Sequence, residues 1–145
     1  MKLRRGRNSD LSELTRLEAG SFEAARRDSE WMTRHSLNSP HQEVWVLENG
    51  PTLAGCLILR FWPHTCRIHS IAVDPKVRGA GHGRRLLRQA HRRARARGCR
   101  RMNLEADARN EALLVWYEQN GYTRTRKLSD YYARRWHAWR FSKAL

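Results

Sequence analysis

Residues 71–87 read IAVDPKVRGAGHGRRLL, and this stretch decides the fold. Ile71, Ala72 and Val73 form an apolar run of β type that stops at Asp74-Pro75. A basic turn rich in glycine follows, Arg78-Gly79-Ala80-Gly81-His82-Gly83, and Arg84 opens a helical pattern directly behind it. The sequence therefore predicts a strand, a tight loop and a helix in immediate succession. The first amides of a helix have no intrahelical acceptor and sit at the positive end of its dipole, so such a start suits an anion, above all a phosphate. Glycine lets the backbone approach that anion with no Cβ in the way.

Working back from the loop, Val44–Leu47, Leu53–Phe61 and Arg67–Val73 read as three antiparallel strands, with a hairpin turn at Glu48-Asn49-Gly50-Pro51. Residues 2–5 suit a short first strand. Asp10-Leu11-Ser12-Glu13 has the form of a capping box, which starts a helix that ends near Gly20. A second helix is expected from about Ala24 to His35, with Phe22 and Glu23 in the loop between the two. Working forward, the helix Gly83–Arg97 places Leu86, Leu87, Ala90 and Ala94 on one face and arginines on most of the remainder, and Gly98 is its C-cap. A strand at Met102–Ala106 follows, then a helix Glu111–Gln119 capped by Asn110 and stopped at Asn120-Gly121. Tyr122–Arg126 reads as a strand, Leu128–Arg135 as a turn, and Trp136–Phe141 as the closing strand. The fold class is α/β: one domain over residues 1–145, with a mixed sheet of about six to seven strands and helices on both faces.

Composition narrows the partners. The chain has 145 residues, a formal charge of +15, and 25 arginines against 4 lysines. Such a field attracts polyanions, including nucleic acid or the ribosome, unless the arginines only decorate a solvated surface. Cys56, Cys66 and Cys99 are odd in number and widely spaced, which suits a reducing compartment. No apolar run reaches the length of a membrane span, so a cytoplasmic location is expected. His64, Cys66 and His69 lack a fourth ligand at zinc spacing, and no metal is expected.

The loop does not fit the dinucleotide pattern, which needs a glycine where Leu86 or Arg84 stands, nor the P-loop, which needs Gly-Lys-Ser/Thr. What stands is R-x-x-G-x-G, written by Arg78, Gly81 and Gly83. Downstream comes LEADARNEALLVWYEQNGY, residues 104–122, and then Asp130-Tyr131-Tyr132. In that order these motifs resemble the GCN5-related N-acetyltransferases (GNAT superfamily), and within them the RimI-like branch that acetylates protein N-termini. The resemblance is good over about the last 80 residues and extends to the first 65 only in element order.

The resemblance implies acetyl-coenzyme A as co-substrate and a primary amine as acceptor. It implies that Arg78, Gly79, Ala80, Gly81, His82, Gly83 and Arg84 hold the pyrophosphate, and that Ile71, Ala72 and Val73 line the pantetheine arm. Asn110 would touch the same arm, although its place as an N-cap also explains it. Glu105 corresponds to the base, working through water, with an arginine ion pair as the plainer reading. Tyr117 corresponds to the acid that protonates the departing sulfur, with core packing beside Trp116 as the alternative. Phe22, Glu23, Tyr131 and Tyr132 would border the acceptor, with simple packing against the helix pair as the plainer reading of Phe22.

One departure bears on the acceptor. Where RimI-like sequences carry acidic residues after the tyrosine pair, this chain reads Ala133-Arg134-Arg135, and arginines there would favour an acidic acceptor. Two other functions compete with catalysis. One is a basic RNA- or ribosome-binding module; the other is a silent acetyl-coenzyme A-binding regulator. A monomer and a homodimer through an edge strand near residues 122–141 are both compatible with the pattern.

Overall fold

The β-type runs on either side of the glycine loop join into one sheet in a computed structural model, which describes residues 1–145. The strands are β1 (Lys2–Arg5), β2 (Gln42–Asn49), β3 (Thr52–Phe61), β4 (Thr65–Val73), β5 (Arg101–Asp107), β6 (Thr123–Ala133) and β7 (Trp136–Ala144). The helices are α1 (Leu11–Ser21), α2 (Glu30–Asn38), α3 (His82–Ala96) and α4 (Glu111–Gln119). The sheet order is β1-β2-β3-β4-β5-β7-β6, which leaves β1 and β6 as edges. Every neighbour pair is antiparallel except β4 and β5. No helix is long and apolar enough to cross a membrane.

The parallel pair is short. Thr65 to Ile68 pair with Arg101 to Leu104, and beyond those rungs the two strands have no residues in register with each other. From there β4 pairs only with β3 and β5 only with β7, so a cleft opens in the middle of the sheet. The β3–β4 register also shifts, Ile58 opposite Ser70 and Leu59 opposite Ile68, so His69 is an extra, bulged residue. A bulge reverses which face later side chains meet. Ile68 and Ile71 accordingly both pack on one core, while His69 and Ser70 both face a cavity on the other side.

The sheet separates two cores. On one side α3 and α4 cover Leu57, Leu59, Ile68, Leu104 and Phe141, with Leu86, Leu87, Ala90 and Ala94 inserted from α3. Full burial of each large side chain there contributes about 1.5–3 kcal/mol. The helix lies so close to β3 that a Cβ on Gly55 would come within 3.1 Å of Leu86 Cδ1, besides meeting the Ala72 carbonyl of β4 at 3.0 Å. On the other side Leu14 and Leu17 of α1 pack on Val44, Cys56, Ile58 and Ala72. Glu43 of β2 ties α3 to the sheet, accepting from Arg93 Nε at 2.8 Å, Arg97 Nη1 at 3.1 Å and Trp45 Nε1 at 2.9 Å. Burial pushes this carboxyl up, but those donors outweigh it and leave it at about 2.

Three local expectations are corrected. Asp10 and Glu13 do not form a capping box: Asp10 accepts the Arg7 amide at 2.7 Å and both terminal nitrogens of Arg4, while Glu13 accepts the Leu53 amide at 3.0 Å and pairs with Arg16. Asp10 is drawn off by Arg4 and Arg7 just upstream, and Glu13 by Arg16 and by Leu53, 40 residues along the chain. The second helix does not start at Ala24. Ala24–Arg26 is a single 3-10 turn, and α2 begins after Ser29, whose hydroxyl accepts the Met32 amide. The stretch 128–135 is no turn either. β6 runs to Ala133 against β7 with an irregularity at Leu128–Ala133, and the reversal is confined to Arg134 and Arg135.

Candidate active site

The glycine loop adopts the geometry its composition requires. Gly79 and Gly81 have φ of +83° and +85°, a region that any Cβ would strain, and nothing lies within 4 Å of the place a Cβ would occupy on either. The first hydrogen bond of α3 runs from the Arg85 amide to the Gly81 carbonyl at 3.1 Å. The amides of His82, Gly83 and Arg84 therefore precede the helical ladder and have no helical acceptor. Arg78 is used partly by the fold, since its Nε donates to the Val73 carbonyl at 2.9 Å and ties the loop to the end of β4. The Asp74 amide bonds the Ala54 carbonyl, and strand alternation then aims the amides of Ile71 and Val73 away from β3, into the cleft.

Asn110 is the N-cap of α4, its side-chain oxygen accepting the Leu113 amide at 3.1 Å. Tyr117, on the same helix, is buried against Trp116, Tyr122 and Phe141. Its hydroxyl has no hydrogen-bond partner in the protein. Burial pushes the phenol well above its ordinary value, the Tyr132 ring adds to that, and Arg26 opposes it. These influences come from Arg26 and Tyr132, two residues of the cavity described next.

That cavity lies on the α1 side of the cleft. Glu18, Phe22, Arg26, Asp28, Arg67, His69, Ser70, Glu105, Tyr131 and Tyr132 line it. Glu105 sits one residue past the last paired rung of β5 and is nearly inaccessible, its side chain 6% exposed. Arg67 Nε reaches its Oε2 at 2.7 Å and Arg140 Nη2 its Oε1 at 3.1 Å. The ion-pair reading of Glu105 is thus present in the molecule, on a residue that also faces the cavity. Arg67 donates as well to the Tyr131 hydroxyl at 3.0 Å. Arg26 stands 4.9 Å from the Phe22 ring centre and 4.3 Å from that of Tyr132, a cation held between two aromatics.

Glu23 is not part of this lining. It is exposed and pairs with Arg109 at 2.7 Å, outside the cavity. Arg134 and Arg135 also stay outside, in the reversal between β6 and β7, and the arginines that line the cavity are Arg26 and Arg67 instead. Sequence reasoning missed Glu18, Asp28, Arg26 and Arg67. Glu18 stands one residue from Leu17 in an ordinary amphipathic helix, and only the bulge at His69 reveals why Asp28 is there. His69 Nε2 meets the two Asp28 oxygens at 3.0 and 2.9 Å. His64, Cys66 and His69 do not converge: Cys66 is buried in the α3-side core, and no group of three His, Cys, Asp or Glu is placed to hold a metal ion.

The model of the acetyltransferase (GNAT) family matches residues 10–122. The chain belongs to this family. The N-alpha-acetyltransferase RimI of Mycobacterium tuberculosis is 33% identical over 131 residues, spanning 86% of this chain and 79% of that protein. The ribosomal-protein-S18-alanine N-acetyltransferase of Escherichia coli has the same fold, with a TM-score of 0.89 over 99% of this chain and 92% of the other at 22% identity. A GNAT family acetyltransferase of Elizabethkingia anophelis solved with acetyl-coenzyme A bound superposes with a TM-score of 0.78 at 15% identity, over 99% of this chain and 97% of that one.

This GNAT chain is RimI-like, an N-acetyltransferase that uses acetyl-coenzyme A. Its own residues fit that co-substrate: amides ahead of a helix ladder for phosphate oxygens, glycines that keep the approach open, and a strand edge free beside them. The α/β sheet with helices on both faces is the fold expected from the motif order.

Proposed function

We propose that this acetyltransferase transfers the acetyl group to a primary amine, the free N-terminus of a peptide or a small amine, by direct attack on the thioester. Amides 79–84 hold the pyrophosphate, and Ile71 and Val73 with Asn110 steady the pantetheine arm. Bound acetyl-coenzyme A supplies an activated acyl group. Glu105, through a water, accepts the proton that the nitrogen loses on attack, and Tyr117 protonates the departing sulfur. A backbone N–H at the free edge of β4 meets the charge that develops on the carbonyl oxygen. Phe22, Tyr131 and Tyr132 shape the acceptor entrance, and no covalent enzyme intermediate is needed.

The observation that carries this reading is the cleft between β4 and β5, with the phosphate-type loop on one side and a cavity containing Glu105 on the other. The test is thiol release from acetyl-coenzyme A over a panel of N-terminal peptides and small amines, with calorimetry of the coenzyme alone. Transfer to at least one amine is expected. Binding without transfer to any of them would make the chain a silent regulator.

The charge favours a second, compatible property. Arg84, Arg88, Arg92 and Arg95 are exposed along α3 and have no carboxylate partner. RNA binding that weakens steeply with salt, and is lost when these four become Gln, supports a polyanionic partner such as the ribosome; salt-independent or absent binding removes it.

A further inference from the structure

Three carboxylates face the acceptor cavity, and they differ in what already holds them. Asp28 gives both oxygens to His69 Nε2. Glu105 receives Arg67 on one oxygen and Arg140 on the other. Glu18, from α1, accepts the Asp28 backbone amide on Oε1 at 2.7 Å, and its Oε2 has no donor within the protein. That free oxygen belongs to a half-buried side chain lining the cavity.

We infer that Glu18 takes the first proton from the incoming ammonium, so that the acceptor meets the thioester as a neutral amine. The inference rests on the acetyl-transfer reading and adds to it a second proton acceptor, on α1 instead of β5. The proton count closes. The ammonium loses one proton to the Glu18 carboxylate, which later passes it to water. The neutral nitrogen bonds the acyl carbon, the carbon–sulfur bond breaks, and the sulfur takes a proton from Tyr117. The nitrogen's second proton leaves through Glu105 and its water and restores the phenol. The sum is an amide, a thiol and one released proton.

The surroundings match the task. Burial is the main influence on Glu18, raising it; the Asp28 amide lowers it, the Asp28 charge raises it, and Arg27 lowers it, with the balance at about 7. The other titratable and charged groups around it are His69 of β4, held by Asp28, Arg67 of β4 paired with Glu105 of β5, Arg26 before α2, the buried Cys56 thiol of β3, and Tyr131 and Tyr132 of β6. A free α-amine titrates at about 7.7–8.0, so the proton moves between nearly level sites.

The experiment compares the wild type with Glu18→Gln on a peptide amine that the wild type acetylates. The wild-type rate should rise with pH through about 7. In the variant, kcat/KM at pH 7 should fall about a hundredfold, and the rise should move up to the amine's own ionisation, about 8. Acetyl-coenzyme A affinity should not change. The same rise, with kcat/KM within threefold, overturns the inference. Melting gives a readout free of activity. A carboxyl raised on folding loses stability as pH climbs from 4.5 through 7, so Glu18→Gln should melt higher above pH 7 and converge with the wild type toward pH 4.5. A pH-independent gap also overturns the inference. A wild type silent toward every amine, with the pH-dependent gap intact, removes the acetyl-transfer reading and the proton-acceptor role that rests on it, but not Glu18's proton affinity.

Discussion

Arg67 Nε lies 2.7 Å from Glu105 Oε2, joining β4 to β5 just where their backbones part. Below that point the strands are held by their own hydrogen bonds, and above it by this charge pair. The pair can keep the cleft at a set width while facing its carboxylate into the cavity. Glu105→Gln keeps the shape and removes the charge. It should lower acetyl transfer about a hundredfold with unchanged acetyl-coenzyme A affinity, measured by thiol release and calorimetry. Loss of coenzyme affinity in step with turnover would assign Glu105 to cleft geometry alone.

Tyr117→Phe removes a hydroxyl that bonds nothing in the protein and leaves the ring packing among Trp116, Tyr122 and Phe141. The melting temperature should stay within a degree or two, while kcat drops at least tenfold and acetyl-coenzyme A binds as before. Full activity in the variant would dismiss the phenol as the acid.

Gly81→Ala meets no neighbour, so any cost comes from its φ of +85°. Forcing an alanine there costs about 1–2 kcal/mol of stability or shifts the loop. Because the His82–Arg84 amides follow directly, the KM for acetyl-coenzyme A should rise more than kcat falls. Steady-state kinetics against coenzyme concentration check this.

His91 is buried on α3 with Nε2 2.8 Å from the Tyr122 hydroxyl, and burial, helped by the Lys143 and Arg95 charges, lowers it to about 4. The unfolded chain binds this proton more readily between pH 6.5 and 4, so stability is present above pH 6.5 and is lost as pH falls through 4. His91→Gln should flatten that part of the curve. Melting of both proteins from pH 8 to 4 measures the difference.

Glu43 works in a lower window. Held at about 2, it stabilises the fold above pH 4.5 and stops doing so as pH falls toward 2. Glu43→Gln should cost about 1.5–3 kcal/mol at pH 7 in urea unfolding, the range for a hydrogen bond to a charged group. The difference from wild type should close toward pH 2.

How much of this was readable in the chain depended on distance along it. The strand-loop-helix at 71–97, Asn110 as an N-cap and the Gly98 and Gly121 stops are local patterns, and each stands where its residues indicate. Asp10 and Glu13 also look like a local pattern, but Arg4, Arg7, Leu53 and Arg16 compete for them, and no spacing rule foresees a partner 40 residues away. Residues 24–28 have helix formers, yet Asp28 reaches His69 and that contact holds the segment out of the helix. The first half of β6 is read as a strand at Tyr122–Arg126, but its continuation is masked by its edge position: Lys127, Ser129 and Asp130 suit water and not a core, which is how an open strand avoids pairing with another chain. Of the candidate site, the glycine loop and the helix behind it follow from local pattern. The cavity assembles Glu18, Arg26 and Asp28 with Arg67 and Glu105 across distant stretches, and only folding brings them together.

The extra residue at His69 has a consequence for how such a chain can change. The bulge puts the His69 and Ser70 side chains on the cavity side of β4 and those of Ile71 and Val73 against the α3-side core, so the two sets meet different surroundings. Of the two, His69 is tied to Asp28 while the Ser70 hydroxyl holds no other side chain, so change comes more easily at 70 than at 69. A different side chain at 70 would reshape the cavity wall and leave the glycine loop beyond β4 as it is.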